Sequence, residues 1–263
     1  MELTRARPSP GPSADELFHL RQRIRYDYTG PVRDLRQRLV VLPAQAGDVT
    51  LRVSQPHRAQ WSTDAWGNTV VDVHVPRIDA AVEFLVSAQA RARPRPTHLV
   101  PTTRWLTPTP LTTADEATSW LARPVADAAA ICARVHAAMT YRFGVTGVRT
   151  TAAEALLGGV GVCQDYAHVM IAACRQAGIP ARYVSGHLVG EGGSHAWVET
   201  LERGPDGAWE LQAWDPTHDR RAEHGYLTVA VGRDYAEVAP VSGTFRGPGV
   251  RSRLTATKQL TLR

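Results

Sequence analysis

The stretch that most restricts what this chain can fold into is Gly158-Gly-Val-Gly-Val-Cys163-Gln-Asp-Tyr-Ala-His-Val-Met-Ile-Ala-Ala-Cys174-Arg-Gln-Ala-Gly178. A glycine-rich loop stops at Cys163. From there Ala167, Met170, Ile171 and Cys174 recur at helical spacing on one face. Gly178 stands where a left-handed cap closes a helix, and Pro180 prevents its continuation. The spacing predicts a buried helix whose first residue is Cys163. The partial positive charge of a helix N-terminus favours the thiolate form of a cysteine, so this one is placed for nucleophilic chemistry.

The surroundings of that helix set the fold class. Ile24, Tyr26 and Tyr28 alternate, as do Val49, Leu51 and Val53, then Val71, Val73 and Val75, then Val82, Phe84 and Val86. Leu39 to Leu42 is an apolar run closed by Pro43. These read as short strands of an antiparallel sheet or sandwich, with Asp64-Ala-Trp66-Gly67-Asn68 as a tight turn between two of them. A proline-rich connection follows between Arg93 and Pro110. Beyond it Thr113 to Glu116 and Thr151 to Glu154 have the form of capping boxes, and Ala126 to Met139 carries Ile131, Val135 and Met139 at steps of four. After Pro180 the pattern turns to strands again, at Arg182 to Ser185, Ala196 to Leu201 and Ala208 to Trp214, with Gly204-Pro-Asp-Gly207 turning between the last two. Helices followed by an antiparallel sheet give an α+β class. The organisation expected is a flexible tail over 1–14, a β-rich N-terminal domain over 15–110 and a second domain over 111–263. Leu254 to Leu262 alternates and is expected to return to the N-terminal sheet.

Composition removes several function classes. With 263 residues and 43% hydrophobic content the chain builds full-sized cores. No apolar run reaches the length of a membrane span, no secretory leader is visible over Met1 to Ser13, and no membrane partner is expected. The net charge of +5 is modest, and the arginines between Arg21 and Arg38 read as a solvated strand face, so no nucleic-acid partner is expected. Cys132, Cys163 and Cys174 are an odd count without a CxxC pair, which suits free thiols in a cytoplasmic location.

His195 opens one of the late strands and Asp215 closes the next, directly before Pro216. The turn at 204–207 puts both at the same open end of a hairpin, where strands about 4.8 Å apart allow an imidazole–carboxylate hydrogen bond. A helix packed on that sheet presents Cys163 at the same edge. The order is nucleophile, base, orienting carboxylate: Cys163 attacks an acyl carbon, His195 carries the proton, and Asp215 fixes the ring. The backbone N–H of Cys163 is one oxyanion donor, and Tyr141, Gln164 and Gln212 compete for the second place.

Gly-Val-Cys163-Gln-Asp-Tyr-Ala-His, Gly178-Ile-Pro-Ala-Arg-Tyr-Val-Ser-Gly186, His195-Ala-Trp-Val-Glu and Trp214-Asp215-Pro-Thr together resemble the bacterial transglutaminase-like family. Val231-Gly-Arg-Asp-Tyr235 and Val238-Ala-Pro-Val-Ser-Gly243 are similar to its C-terminal segment. Arg25-Tyr-Asp-Tyr28 and Asp64-Ala-Trp-Gly-Asn68 are similar to the β-rich region that precedes its core. The resemblance implies a papain-like α+β core and a catalytic triad of Cys163, His195 and Asp215. It also implies a protein or peptide substrate offering a glutamine or other amide, and leaves open whether a primary amine or water is the acceptor.

Each sharp reading has a bland rival. Cys132 and Cys174 lie on apolar helix faces and read as packing residues. His168 points away from the face of Cys163 and reads as structural or solvent-facing. Trp197 and Trp214, with Gln164 and Tyr141, are candidates for substrate contact, although sheet-core packing explains the tryptophans equally well. His187, His195, His218 and His224 match no usual metal-ligand spacing, and the chemistry requires no metal or organic cofactor. Asp165 and Asp219 rank behind Asp215 for the third role. Gly190 to Ser194 is a hairpin loop beside His195 or a mobile lid. Against acyl transfer to an amine stand a cysteine peptidase or amidase that uses water, and a catalytically silent binding module. A third rival is an acidic polymer bound by the arginines of 21–38.

Overall fold

The computed structural model describes residues 16–44, 46–91, 100–123 and 127–263. The expected tail, the first part of the proline-rich connection (93–99) and the start of the alanine-rich helix at Ala126 fall outside the described residues. The chain begins with six strands: β1 (Leu17–Tyr28), β2 (Val32–Leu42), β3 (Ala46–Val53), β4 (Arg58–Thr63), β5 (Thr69–Ile78) and β6 (Ala81–Arg91). The middle holds α1 (Thr103–Leu106), α2 (Glu116–Ala122), α3 (Ala128–Ala138), β7 (Thr140–Tyr141), α4 (Ala152–Gly158), β8 (Val160–Gly161) and α5 (Cys163–Gln176). Then come β9 (Ala181–Leu188), β10 (His195–Arg203), β11 (Trp209–Asp215), β12 (Arg220–Arg221) and β13 (Tyr226–Gly232). The chain ends with α6 (Tyr235–Val238), β14 (Val241–Arg246) and β15 (Ser252–Leu262).

Alternating apolar residues make the first strands two-faced, and they close on one another as a sandwich. One sheet has the order β15-β1-β6-β3 and the other β14-β2-β5-β4. Phe18, Leu20 and Ile24 of β1 meet Leu35, Leu39, Val73 and Phe84 in the core between them. The run from Leu39 to Leu42 breaks the alternation for a reason. The pairing of β2 with β5 shifts register there, and Val40 turns out of the sandwich into the neighbouring core with Val70. β4 is exposed along its length, which is why no apolar pattern marks it. Its arginine-bearing edge is of the kind that resists pairing with other chains. Gly67 takes a positive φ of 79° in the β4–β5 turn, and its N–H donates to the Asp64 carbonyl at 3.0 Å. Both C-terminal strands belong to this sandwich: β15 lies antiparallel to β1 and β14 to β2.

The second layer is the antiparallel sheet β12-β11-β10-β9-β13, with α5 packed on β9 and β10 and helices α2 to α4 around it. α5 is buried from Asp165 to Arg175, wider than the single stripe of 167, 170, 171 and 174. Its C-terminus closes as a Schellman motif: Ile179 N–H donates to the Cys174 carbonyl at 2.8 Å and Gly178 N–H to that of Arg175 at 3.0 Å. Gly178 supplies the positive φ of 75° that this geometry requires. Buried Arg175 then ties the end of the helix to carbonyls of Trp105, Ala181 and Arg233 and to the Thr112 hydroxyl.

Two helix starts differ from the sequence expectation. α2 is capped by Asp115, whose carboxylate accepts from Thr118 N–H at 2.8 Å, while the Thr113 hydroxyl donates back to the Thr109 carbonyl. α3 is capped by Asp127 and ends before Met139, which is extended and buried. The Thr151–Glu154 capping box opens α4 as expected.

The sandwich and the second layer are locked together. Asn68 of the β4–β5 turn donates to the Val231 carbonyl at 2.8 Å and accepts from Val231 N–H at 2.9 Å, both bonds buried. Arg182 of β9 pairs with Glu199 of β10 at 2.7 Å and lies over the Trp105 ring at 4.4 Å. Among the described residues no helix is long and apolar enough to cross a membrane.

Candidate active site

The start of α5 is built by its neighbours. α4 stops at Gly159, where φ is +62°. The chain then pairs β8 parallel to β7, which puts Tyr141 opposite Gly161. Val162, the cap residue, has no side-chain acceptor. Asp165, one turn on, takes that role: it accepts from Val162 N–H at 2.8 Å and from the Thr146 hydroxyl at 2.6 Å. Burial raises the Asp165 pKa more than these bonds lower it. Gly161 is required here because a Cβ would lie 2.7 Å from Asp165. Cys163 is thus the first helical residue and is half-buried, whereas Cys132 and Cys174 are fully buried. Burial pushes the Cys132 thiol up to about 12 and raises Cys174 as well, which leaves both as packing residues. The Cys163 amide is one of the first-turn N–H groups that a helix itself leaves without an acceptor.

His195 is buried at the first position of β10, opposite Gly186 of β9. Gly186 has no room for a Cβ, which would meet the Leu227 carbonyl and the Trp197 ring. Trp197 stacks with His195, their ring centroids 6.2 Å apart and their planes 28° apart. His195 Nε2 donates to Asp215 Oδ2 at 2.7 Å, and its Nδ1 lies 3.2 Å from Glu191 Oε2. Burial alone would lower the imidazole pKa, but hydrogen bonds with Asp215, Cys163 and Glu191 outweigh it and raise the value. Asp215, closing β11, has no exposed surface. Desolvation opposes its charge, yet donors hold its carboxyl well below the usual range. Besides His195, its Oδ2 accepts from the Tyr226 hydroxyl at 2.7 Å and from His218 Nδ1 at 2.8 Å, while Oδ1 accepts from Thr217 N–H at 2.9 Å.

The structure therefore brings Cys163, His195 and Asp215 together, and it sorts the remaining candidates. Tyr141 is 54% exposed at the mouth of the site, within electrostatic reach of Cys163, Glu191 and His195. Gln164 is half-buried and its amide reaches the Gly147 carbonyl at 3.4 Å. Trp197 and Trp214 do not line an open channel. Trp197 is 2% exposed beneath His195, and Trp214 is buried with its indole N–H donating to Thr200 and Glu202 at 3.2 Å. Gln212 sits opposite Thr200, away from the thiol, and pairs with Arg221. His168 is fully buried, so its solvent-facing alternative is excluded. His224 is exposed beside Glu16. Asp219 takes a left-handed backbone, φ 50°, in the turn after His218. Three neighbours join this site beyond the expected triad: Glu191 and Tyr226, which the sequence reading did not name, and His218, which it named only as a discounted metal-ligand candidate. Glu191 and His218 carried a usable signal, four residues before His195 and three after Asp215, whereas Tyr226 comes from β13 with none.

Residues 111–210 match the family described as the transglutaminase-like superfamily, and residues 18–93 match the bacterial transglutaminase-like N-terminal region. An uncharacterised protein of Mycobacterium leprae is 42% identical over 123 residues, covering 42% of this chain and 41% of that protein. An uncharacterised protein of Mycobacterium tuberculosis is 37% identical over 124 residues, covering 43% and 40%. The matched part thus spans about two fifths of the length of these relatives. A crystal structure from Cytophaga hutchinsonii, of a protein provisionally named a cysteine protease, superimposes with a TM-score of 0.68 at 18% identity, covering 94% of this chain and 98% of that one.

Proposed function

The chain belongs to the transglutaminase-like superfamily, and from that premise we propose that it is a thiol enzyme acting on carboxamide or peptide bonds. The observation that carries this reading is the 2.7 Å bond from His195 to the buried Asp215, with Cys163 at the start of α5 close enough to help raise the His195 pKa. Cys163 Sγ attacks the carbonyl carbon, and its proton rests on His195. Asp215 holds the charged ring by its Nε2 and leaves Nδ1 on the thiol side. The tetrahedral oxyanion is met by the Cys163 amide, with Tyr141 or Gln164 as second donor. His195 then delivers the proton to the departing amine or ammonia, leaving a thioester. A primary amine closes the cycle by attacking that thioester, as in acyl transfer; water closes it as a peptidase or amidase. The substrate is a protein or peptide with an accessible amide, and Tyr141 and Gln164 contact it at the rim. Trp197 supports the imidazole from beneath and does not touch substrate. Three free cysteines accord with the cytoplasm as the working compartment.

The test is incorporation of a fluorescent primary amine into a glutamine-rich protein, with Cys163→Ala alongside. Removal of a nucleophile leaves at most a small residue of activity, a loss of about 10³-fold or more. Incorporation that disappears in the variant is expected. Release of acid product that depends on Cys163, without incorporation, assigns the acyl group to water. No product of either kind sinks the enzyme reading and leaves a binding module.

A further inference from the structure

Beside the thiol, three side chains face one another across a gap of cation size. The carboxylate of Glu191, Nδ1 of His195 and Nε2 of His218 all lie within 4.8 Å of one another. Glu191 Oε2 stands 3.2 Å from His195 Nδ1, and Glu191 Oε1 stands 3.5 Å from His218 Nε2. A tetrahedral cation with ligand bonds of about 2.0–2.1 Å has donor-to-donor edges of about 3.4 Å. The two carboxylate-to-imidazole separations lie on either side of that figure, each made by a different oxygen.

The second observation concerns which nitrogens are free to bind. A metal-ligating histidine typically donates its other ring N–H to a carboxylate, which sets the tautomer. Here one buried atom does this for two rings. Asp215 Oδ2 accepts from His195 Nε2 at 2.7 Å and from His218 Nδ1 at 2.8 Å. Each ring is thereby left with its opposite nitrogen as a lone-pair donor, and those two nitrogens are the ones that meet Glu191. Cys163 acts on the same ring, raising the His195 pKa together with Asp215 and Glu191, so a cation on that ring competes with the thiol for it.

We propose that Glu191, His195 and His218 form a binding site for a zinc-type divalent cation, and that its occupancy switches the thiol centre off. The cation takes the His195 Nδ1 lone pair, which the thiol proton would otherwise use. It displaces that proton to solvent, and water fills the fourth position. Glu191 and His218 are each about one-third exposed, so the site loads and unloads from solvent without opening the core. The inhibitory half of the proposal rests on the thiol-enzyme reading; the metal site does not.

The experiment titrates the chelator-stripped full chain with Zn²⁺ against a chromophoric chelator, beside Glu191→Gln, His218→Gln and the remote control His224→Gln. One equivalent bound by the native chain and by the control is expected. In each of the two site variants, affinity is expected to fall at least about tenfold. No stoichiometric binding, or unchanged affinity in both site variants, overturns the site. Amine incorporation or hydrolysis is then measured at one equivalent of Zn²⁺ and again after added EDTA. Loss and recovery of activity are expected; full activity in the loaded protein overturns the switch. A chain that binds the metal but shows no activity under any condition refutes the enzyme reading alone.

Discussion

A single carboxylate oxygen, Asp215 Oδ2, takes hydrogen bonds from His195, His218 and Tyr226. Only His218, in the turn after β11, is near it in sequence; the other two come from β10 and β13. Burial and the adjacent Asp215 charge raise the Tyr226 pKa, so its hydroxyl stays a donor. A second buried histidine acts on stability rather than chemistry. His168 accepts from Tyr235 N–H at 3.2 Å, and burial lowers its pKa to about 4, with Asp234 and Arg175 pulling in opposite senses. The folded ring is neutral where an unfolded one, titrating near pH 6.5, is charged. The unfolded state therefore binds more protons between those values, and stability falls as pH drops from about 6.5 to about 4. This one group is expected to remove about 2 kcal/mol between pH ~7.5 and pH ~5. Urea unfolding at both pH values, for the native chain and His168→Gln, checks it: the variant should lose less on acidification by about that amount, and equal losses would refute the assignment.

At the scale of elements, the position of His195 depends on the strand beside it. Gly186 lets the Leu227 carbonyl and the Trp197 ring approach β9 from the space a side chain would fill. Gly186→Ala must therefore displace β13 or push Trp197 off the face of His195. The expected cost is about 1–3 kcal/mol, as for overpacked cores, with a fall in turnover beyond what unfolding explains; unchanged denaturation and activity would show the strand gives way freely. The same elements indicate how much can be read from residues alone. Helix α5, the capping box of α4 and the β10–β11 hairpin declare themselves through periodicity, caps and turn residues, which are local. β4 does not, because an exposed edge strand needs no apolar alternation. The sequence points to Thr113 as the cap because Thr113-x-x-Glu116 fits the usual capping-box pattern, whereas the Asp115 box closes on Thr118, a residue type that pattern does not include. In the site, Cys163, His195 and Asp215 sit at element ends that the sequence marks. Tyr226 is brought in by the pairing of β13 with β9, a long-range contact without a local signature, and the burial of Trp197 and Trp214 depends on the same sheet.

For the whole molecule, the sandwich and the thiol-bearing layer are not sequential beads. Val40 and Val70 leave the sandwich to join the helical core, Leu227 crosses the other way, and Asn68 bonds β13. β15 covers one edge of the sandwich along β1, and its Lys258 donates to the Gly193 carbonyl in the loop that precedes His195. Truncation after residue 250 is expected to destabilise both layers together. A single unfolding transition should shift down in midpoint by several degrees or more, since about 1 kcal/mol moves a domain of this size by about 2–4 °C. Two separated transitions, with the thiol layer unmoved, would refute that coupling.

The pairing of β1 with β15 also has a temporal side. Thr29 and Arg251, bonded at the end of this ladder, are 222 residues apart along the chain. At the usual pace of synthesis, about 5–20 residues per second, β1 leaves the ribosome roughly 10–40 seconds before its partner exists. Through that interval its backbone edge is an open template for any passing strand. A nascent chain of this kind needs a chaperone for the β1 edge until β15 emerges to cover it.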